Sequence, residues 1–187
     1  MSSIAEDMKN AVVGTVKGTG EVGSALIEAV SGVATSVLGS VKEVGKEAIS
    51  LTAEIVKSAL QAVSEAGVAG TQATEHVVNG VVSSVSKSAI DTEEGIGSVA
   101  HESIKVAHNT GADLAESAVS IVRGSIEGVK RTGGDVGSAT KAAAEGVIGG
   151  AGEISEEAVH TVADAVTSSV EGTKEVVSNA LSSKKES

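Results

Sequence analysis

Apolar residues recur at intervals of eleven along most of this chain. Two of the series are Leu26, Val37, Ala48 and Ala59, and Ile96, Ala107, Ala118 and Val129. Eleven residues in three turns correspond to about 3.67 residues per turn, which is close to the α-helical value, so the side chains remain on one face. The pattern predicts an all-α chain of long amphipathic helices, arranged as one extended helix or as a helical bundle.

The same spacing defines a candidate interaction stripe of aliphatic residues. Its members are Leu26, Val30, Val33, Val37, Val41, Val44, Ile55, Val63, Val77, Ile96, Leu114, Val129, Val147, Ile154, Val162 and Val176. We expect the members from Val33 to Val77 to share one face and to be its most buried positions in an assembled state. A charge at Val44 should then impair binding or assembly more than a charge reversal at Glu43.

Changes of phase and glycine clusters divide the chain into segments. We predict one repetitive helical region over residues 1–181, with helical segments at about 4–18, 22–90, 96–131 and 136–181, and a disordered tail at 182–187. Breaks are expected at 91–95 and 132–135, and Gly149-Gly150 is a candidate flexible point. The motif at 110–115 recurs 22 residues later at 132–137, which indicates duplication of a helical unit.

Helix propensity conflicts with this pattern. The 23 glycines, together with many Val, Thr and Ser residues, make a poor isolated helix, so the apolar stripe must be buried for helices to persist. Disorder in the unbound chain is therefore one alternative. A Val- and Thr-rich β protein is a weaker alternative, because sustained two-residue alternation and hairpin signals are absent from the sequence.

Composition narrows the functional classes. The chain has no Phe, Trp, Tyr, Pro or Cys. Aromatic residues line most small-molecule pockets, so we expect a protein that is not an enzyme and needs no cofactor. The absence of Pro means that no residue forces a helix to stop. The absence of Cys removes disulfides and thiolate chemistry, and it fits a reducing compartment.

The formal net charge of −11 argues against a nucleic-acid partner and against strong attraction to anionic lipid. The uncharged stretch at 29–41 spans 13 residues, whereas a transmembrane helix needs about 20. The first residues also lack the basic and apolar regions of a signal peptide. We therefore expect no transmembrane segment and a cytoplasmic location, peripheral on a membrane or storage body.

Candidate chemistry is sparse. His101 and His108 are seven residues apart and share a helix face, but two histidines cannot complete a tetrahedral metal site, so no metal site is predicted. Fragments such as Gly95-Ile96-Gly97 lack the strand and the Gly-Lys-Ser/Thr ending of a phosphate loop. We expect Gly, Ala and Ser instead to allow close approach between helices.

The segments Glu145–Gly152 and Val170–Val177 carry an eleven-residue rhythm in Val, Gly, Ala, Thr, Glu and Lys. This rhythm resembles that of the synucleins, the perilipins and some late-embryogenesis-abundant proteins. The resemblance implies helix formation on lipid, at a hydrophobic surface or during drying. The chain departs from the late-embryogenesis proteins in its low charge content and from the synucleins in its low number of lysines.

Three functions follow from these observations as expectations. The first is an amphipathic coat whose stripe lies on lipid or on another hydrophobic surface. The second is a structural homo-oligomer, in which the stripes of several copies form a helical bundle or coiled-coil filament. The third is protection of other proteins during stress or desiccation. The sequence indicates lipid or a second copy of the chain as the partner, and the coat is the function that we favour.

Overall fold

The computed structural model describes residues 3–18, 22–40, 46–68, 70–88 and 90–185. Across these ranges 86% of residues are helical and no strand occurs, so the predicted all-α class is confirmed. The helices of this described part are α1 (Ile4–Gly18), α2 (Val22–Gly39), α3 (Lys46–Glu65), α4 (Thr71–Val85), α5 (Thr92–Asn109), α6 (Leu114–Thr132), α7 (Val136–Ile154), α8 (Glu156–Ser169) and α9 (Lys174–Lys185).

Short polar caps explain why the helices begin where they do. Asp91, Asp113, Asp135 and Ser155 precede α5, α6, α7 and α8, and each side chain accepts a hydrogen bond from the backbone N–H three residues later, at 2.6–3.1 Å. These bonds satisfy N–H groups that have no partner inside the helix. Gly133 ends α6 in the left-handed conformation, with φ 74°. Local hydrogen bonding thus turns the chain at points where the apolar pattern alone would continue a helix.

The predicted long segments are therefore divided into several helices. Segment 22–90 contains α2, α3 and α4, and segment 136–181 contains α7, α8 and most of α9. Leu26 and Val37 lie in α2 whereas Ala48 and Ala59 lie in α3, so this eleven-residue series crosses a connection instead of following one helix. Gly149-Gly150 lies inside α7 and is not a break. The last helix extends to Lys185 and includes the first four residues of the predicted tail.

The repeat visible in the structure is one helix with its connection, about 22 residues long. Helices α4, α5, α6 and α7 begin at residues 71, 92, 114 and 136. One row of residues spaced by 22 is completely inaccessible to solvent in eight successive helices: Val12, Ala34, Val56, Val78, Ala100, Val122, Ala144 and Val166. Each helix therefore presents the same sequence position to the core, as expected for a repeat protein.

Alternate helices form two layers. The most extensive contacts join α5 with α7, α4 with α6, and α2 with α4, so helices two apart in the chain are the nearest neighbours. The odd-numbered helices lie in one layer and the even-numbered helices in the other, with smaller contacts between consecutive helices. This arrangement is of the α-solenoid type. In the described part of the chain, no helix is both long and apolar enough to cross a membrane.

Candidate interaction surface

The predicted stripe is covered mainly by other helices of the same chain. The buried members are Leu26, Val30, Ile55, Val63, Val77, Ile96, Val129, Val147 and Val162. The partly buried members, which pack against this core, are Val33, Val37, Leu114, Ile154 and Val176. Val41, Val44 and the comparison residue Glu43 lie outside the described residues. The closed stack therefore leaves little of the stripe free to contact a partner.

The members from Val33 to Val77 do not share one helix face. Val33 and Val37 belong to α2, Ile55 and Val63 belong to α3, and Val77 belongs to α4. Val33 and Val37 remain partly exposed, whereas Ile55 and Val77 are completely buried. The physical reason is that the connections turn the chain between the helices, so each helix directs its own short part of the stripe inward.

Glycines form the closest contacts between helices of one layer. A Cβ atom added at Gly146 of α7 would lie 2.5 Å from the carbonyl oxygen of Gly97 in α5, and one at Gly150 would lie 2.5 Å from the carbonyl oxygen of His101. Real Cβ atoms essentially never approach this closely. Only Gly therefore fits these two positions, and the two helix backbones are almost in contact, as expected from the small residues.

The same contact recurs one repeat earlier in the other layer. Gly124 and Gly128 of α6 face the carbonyl oxygens of Glu75 and Asn79 in α4, with hypothetical Cβ distances of 2.5 and 2.9 Å. These residues precede their counterparts in α7 and α5 by 22 positions. The Gly-x-x-x-Gly spacing, repeated at this interval, is a signal that our sequence interpretation did not use. It would have identified α6 and α7 as equivalent packing surfaces.

Hydroxyl groups add polar contacts to these seams. Ser31 of α2 and Ser84 of α4 have their side-chain oxygens 3.0 Å apart, and Ser84 Oγ also lies within hydrogen-bond distance of the Ser31 carbonyl, at 3.0 Å. In the next pair of the same layer, Ser83 Oγ donates to the carbonyl oxygen of Gly128 at 3.2 Å. The seams between helices are therefore narrow and partly polar, unlike a core filled by large apolar side chains.

One cluster of charged side chains joins α5 to α7. Lys105 Nζ lies 2.7 Å from Glu153 Oε2, His101 Nε2 lies 3.2 Å from Glu153 Oε1, and Lys105 Nζ lies 3.9 Å from Glu102 Oε2. His108 is exposed near the end of α5. No group of three or more His, Asp or Glu side chains within the described ranges is arranged to hold a metal ion. The cluster crosses the same interface as Gly146 and Gly150.

The ion pairs of this cluster predict a small pH effect on stability. The hydrogen bond from Lys105, together with the charges of His101 and Lys105, holds the pKa of Glu153 below its usual value of 4.5. A carboxyl whose pKa is lowered in the folded state stabilises that state above the unfolded pKa and ceases to do so as the pH falls through the lowered value. Replacing Glu153 with Gln should therefore lower the thermal midpoint at neutral pH and have progressively less effect below about pH 4.

Thermal unfolding followed by circular dichroism at several pH values measures this effect. Glu145→Gln is the matched control, because Glu145 is an exposed glutamate of the same helix. A Glu153→Gln effect that is the same at pH 7 and pH 3 would mean that the ion pairs do not stabilise the α5–α7 interface.

No match was found when the chain was compared with models of protein families, with curated proteins and with solved structures.

Proposed function

We propose that this chain is a non-enzymatic coat protein that stores its apolar stripe inside the helical stack and exposes it at a neutral lipid or another hydrophobic surface. The observation that supports this proposal best is the 22-residue row of buried Val and Ala residues from Val12 to Val166. In the stack, the row is produced by one helix and one turn per repeat. In a continuous helix, 22 residues would make six turns at about 3.67 residues per turn.

The same residues would therefore align in two different conformations. Opening the connections and extending the helices would convert the buried row into an uninterrupted apolar stripe on one side. A sequence written only for a closed stack has no need of this coincidence, because the length of each connection could vary freely. The eleven-residue spacing thus gains a physical role in the open form.

The composition favours such an opening. There is no Pro in the chain, so no connection contains a residue that is incompatible with a helix interior. The described helices are 12–20 residues long, and isolated helices of about 12–15 residues are marginal in water. Their buried side chains are mostly Val, Ala and Ile, which form a thin core. A hydrophobic surface could replace these contacts.

The charge indicates which surface to expect. A chain with 25 acidic and 14 basic residues gains little from anionic headgroups. We therefore propose a zwitterionic or neutral lipid surface, such as a storage droplet, with the protein bound peripherally in the cytoplasm. Binding should depend on apolar contact and should change little with salt.

Fluorescence resonance energy transfer can test the opening directly. Dyes placed at Asn10→Cys and Ser64→Cys would flank the Lys9–Glu65 ion pair, which joins α1 to α3 at 2.7 Å. If residues 10–64 became one helix, the two positions would lie about 80 Å apart at a rise of 1.5 Å per residue. We expect energy transfer to be high in buffer and to fall when triolein droplets stabilised by phosphatidylcholine are added.

A dye pair at Ala5→Cys and Asn10→Cys, both within α1, is the control and should not respond to lipid. Absence of droplet binding would contradict the proposal, and so would binding without a fall in energy transfer.

The same titration addresses the alternative of a homo-oligomeric structural protein. Gly14 of α1 occupies the repeat position of Gly80, Gly124 and Gly146, yet no atom lies within 4 Å of its hypothetical Cβ. A second copy could pack against this helix. Light scattering that rises with protein concentration, with no response to lipid, would favour self-association over the coat.

A further inference from the structure

A cavity of about 420 Å³ lies between two connections on one side of the stack. Its walls come from the end of α3, the start of α4, the end of α5 and the start of α6. Leu60, Val63 and Val106 supply apolar surface, and Ser103 lies among the lining residues. This volume falls within the range of small-molecule pockets and far exceeds the space that a single buried water needs.

Ser103 is a buried polar residue whose hydrogen bonding is incomplete. Its side chain is completely inaccessible to solvent, and its Oγ has no hydrogen-bond partner among the residues that the structure describes. Ser125 occupies the same repeat position 22 residues later, is equally buried, and donates to the Ile121 carbonyl oxygen at 2.9 Å. Buried hydroxyl groups are normally paired, so Ser103 is an exception at the wall of a cavity.

A second feature of the cavity is the first turn of α4. Gly70 is the N-cap of this helix and provides no side-chain hydrogen bond, whereas the caps of α5 to α8 all do. Gly70 and Thr71 both line the cavity. The initial N–H groups of a helix seek an acceptor oxygen, so a ligand with such an oxygen suits this end of the cavity.

The charge of the lining limits the ligand further. Asp113 and Glu116 are among the described residues that line the cavity, and Lys, Arg and His are not. The two carboxylates oppose an anionic ligand, while the first turn of α4 opposes a cation. We infer that the cavity between the α3–α4 and α5–α6 connections binds a small neutral amphiphile, whose hydroxyl or carbonyl oxygen meets Ser103 and α4 and whose alkyl chain contacts Leu60, Val63 and Val106.

This inference is independent of the coat function, because it concerns the closed stack in the absence of any lipid surface. Calorimetry with 1-octanol, octanoate and octylamine separates the contribution of the head group, since the three probes share one alkyl chain. We expect saturable 1:1 binding of 1-octanol and binding at least about tenfold weaker for the other two, which corresponds to 1.4 kcal/mol. Tightest binding of octylamine or octanoate would overturn the assignment of a neutral ligand.

Single substitutions test the part of Ser103. Ser103→Ala should weaken 1-octanol binding roughly two- to tenfold by removing one hydrogen bond, whereas Ser125→Ala should leave the affinity unchanged. Ala107→Leu should abolish binding by filling the cavity, and Thr74→Leu, on the opposite wall, replaces it if Ala107→Leu does not fold. Equal affinity in the wild type and Ser103→Ala, or no saturable binding in the wild type because the cavity holds ordered water only, would refute the inference.

Discussion

Replacing Gly146 with Ala is expected to destabilise the folded stack by about 2–3 kcal/mol, the range for forcing extra volume into a close-packed site. The new Cβ would lie 2.5 Å from the Gly97 carbonyl oxygen and 2.8 Å from the Ala100 Cβ. Both of these atoms are held by the α5 backbone, so the clash can be relieved only by separating α5 from α7. Thermal unfolding should show a fall in the midpoint of roughly 5–10 °C.

Gly32→Ala provides the matched control for this prediction. Gly32 also lies inside a helix, and no atom lies within 4 Å of its hypothetical Cβ. Here the substitution removes only the conformational cost of Gly, so it should stabilise the protein by up to about 1 kcal/mol. If both variants changed the midpoint in the same direction, the contact between α5 and α7 would be looser than the structure indicates.

Replacing Val162 with Asp should destabilise the protein by about 3–5 kcal/mol, because a carboxylate would be buried without a partner. Val162 is completely inaccessible in α8 and belongs to the predicted stripe. Its neighbour Thr161 is exposed in the same helix. Thr161→Asp adds the same charge one residue away and should change stability by no more than about 0.5 kcal/mol.

Urea unfolding of the two variants, followed by circular dichroism, measures the difference between them. Similar losses from Val162→Asp and Thr161→Asp would show that α8 does not direct Val162 into the core. On lipid droplets, only Val162→Asp should also bind more weakly, since it places a charge in the stripe of the proposed open form.

The helical class could be predicted because spacings of three and four between apolar residues suit only one regular backbone. Several breaks could be predicted as well. The acidic cap at Asp91 was recognised, whereas Asp113 was not, although Asp113-Leu114-Ala115-Glu116 places Glu three residues after the cap, as in a capping box. Reading that signal would have divided segment 96–131 between α5 and α6.

The chain reversal itself was harder to predict. A stripe repeated every eleven residues looks the same whether the helix continues or turns after each second unit, since 22 residues return the row to the core in both cases. What covers the stripe depends on contacts between residues far apart in the chain, such as His101 with Glu153 or Gly97 with Gly146. Their separation carries no meaning until the helices are known to alternate between two layers.

The alternation of layers also restricts how a chain of this design can change in length. Removing one 22-residue unit would move every later helix to the opposite layer and would give it a new neighbour two positions away. Removing two units, about 44 residues, would keep each later helix in its layer and would preserve contacts such as those between α5 and α7. Variation in length by duplication or loss should therefore proceed in pairs of helices, and an odd number of units should reverse the two sides of the stack.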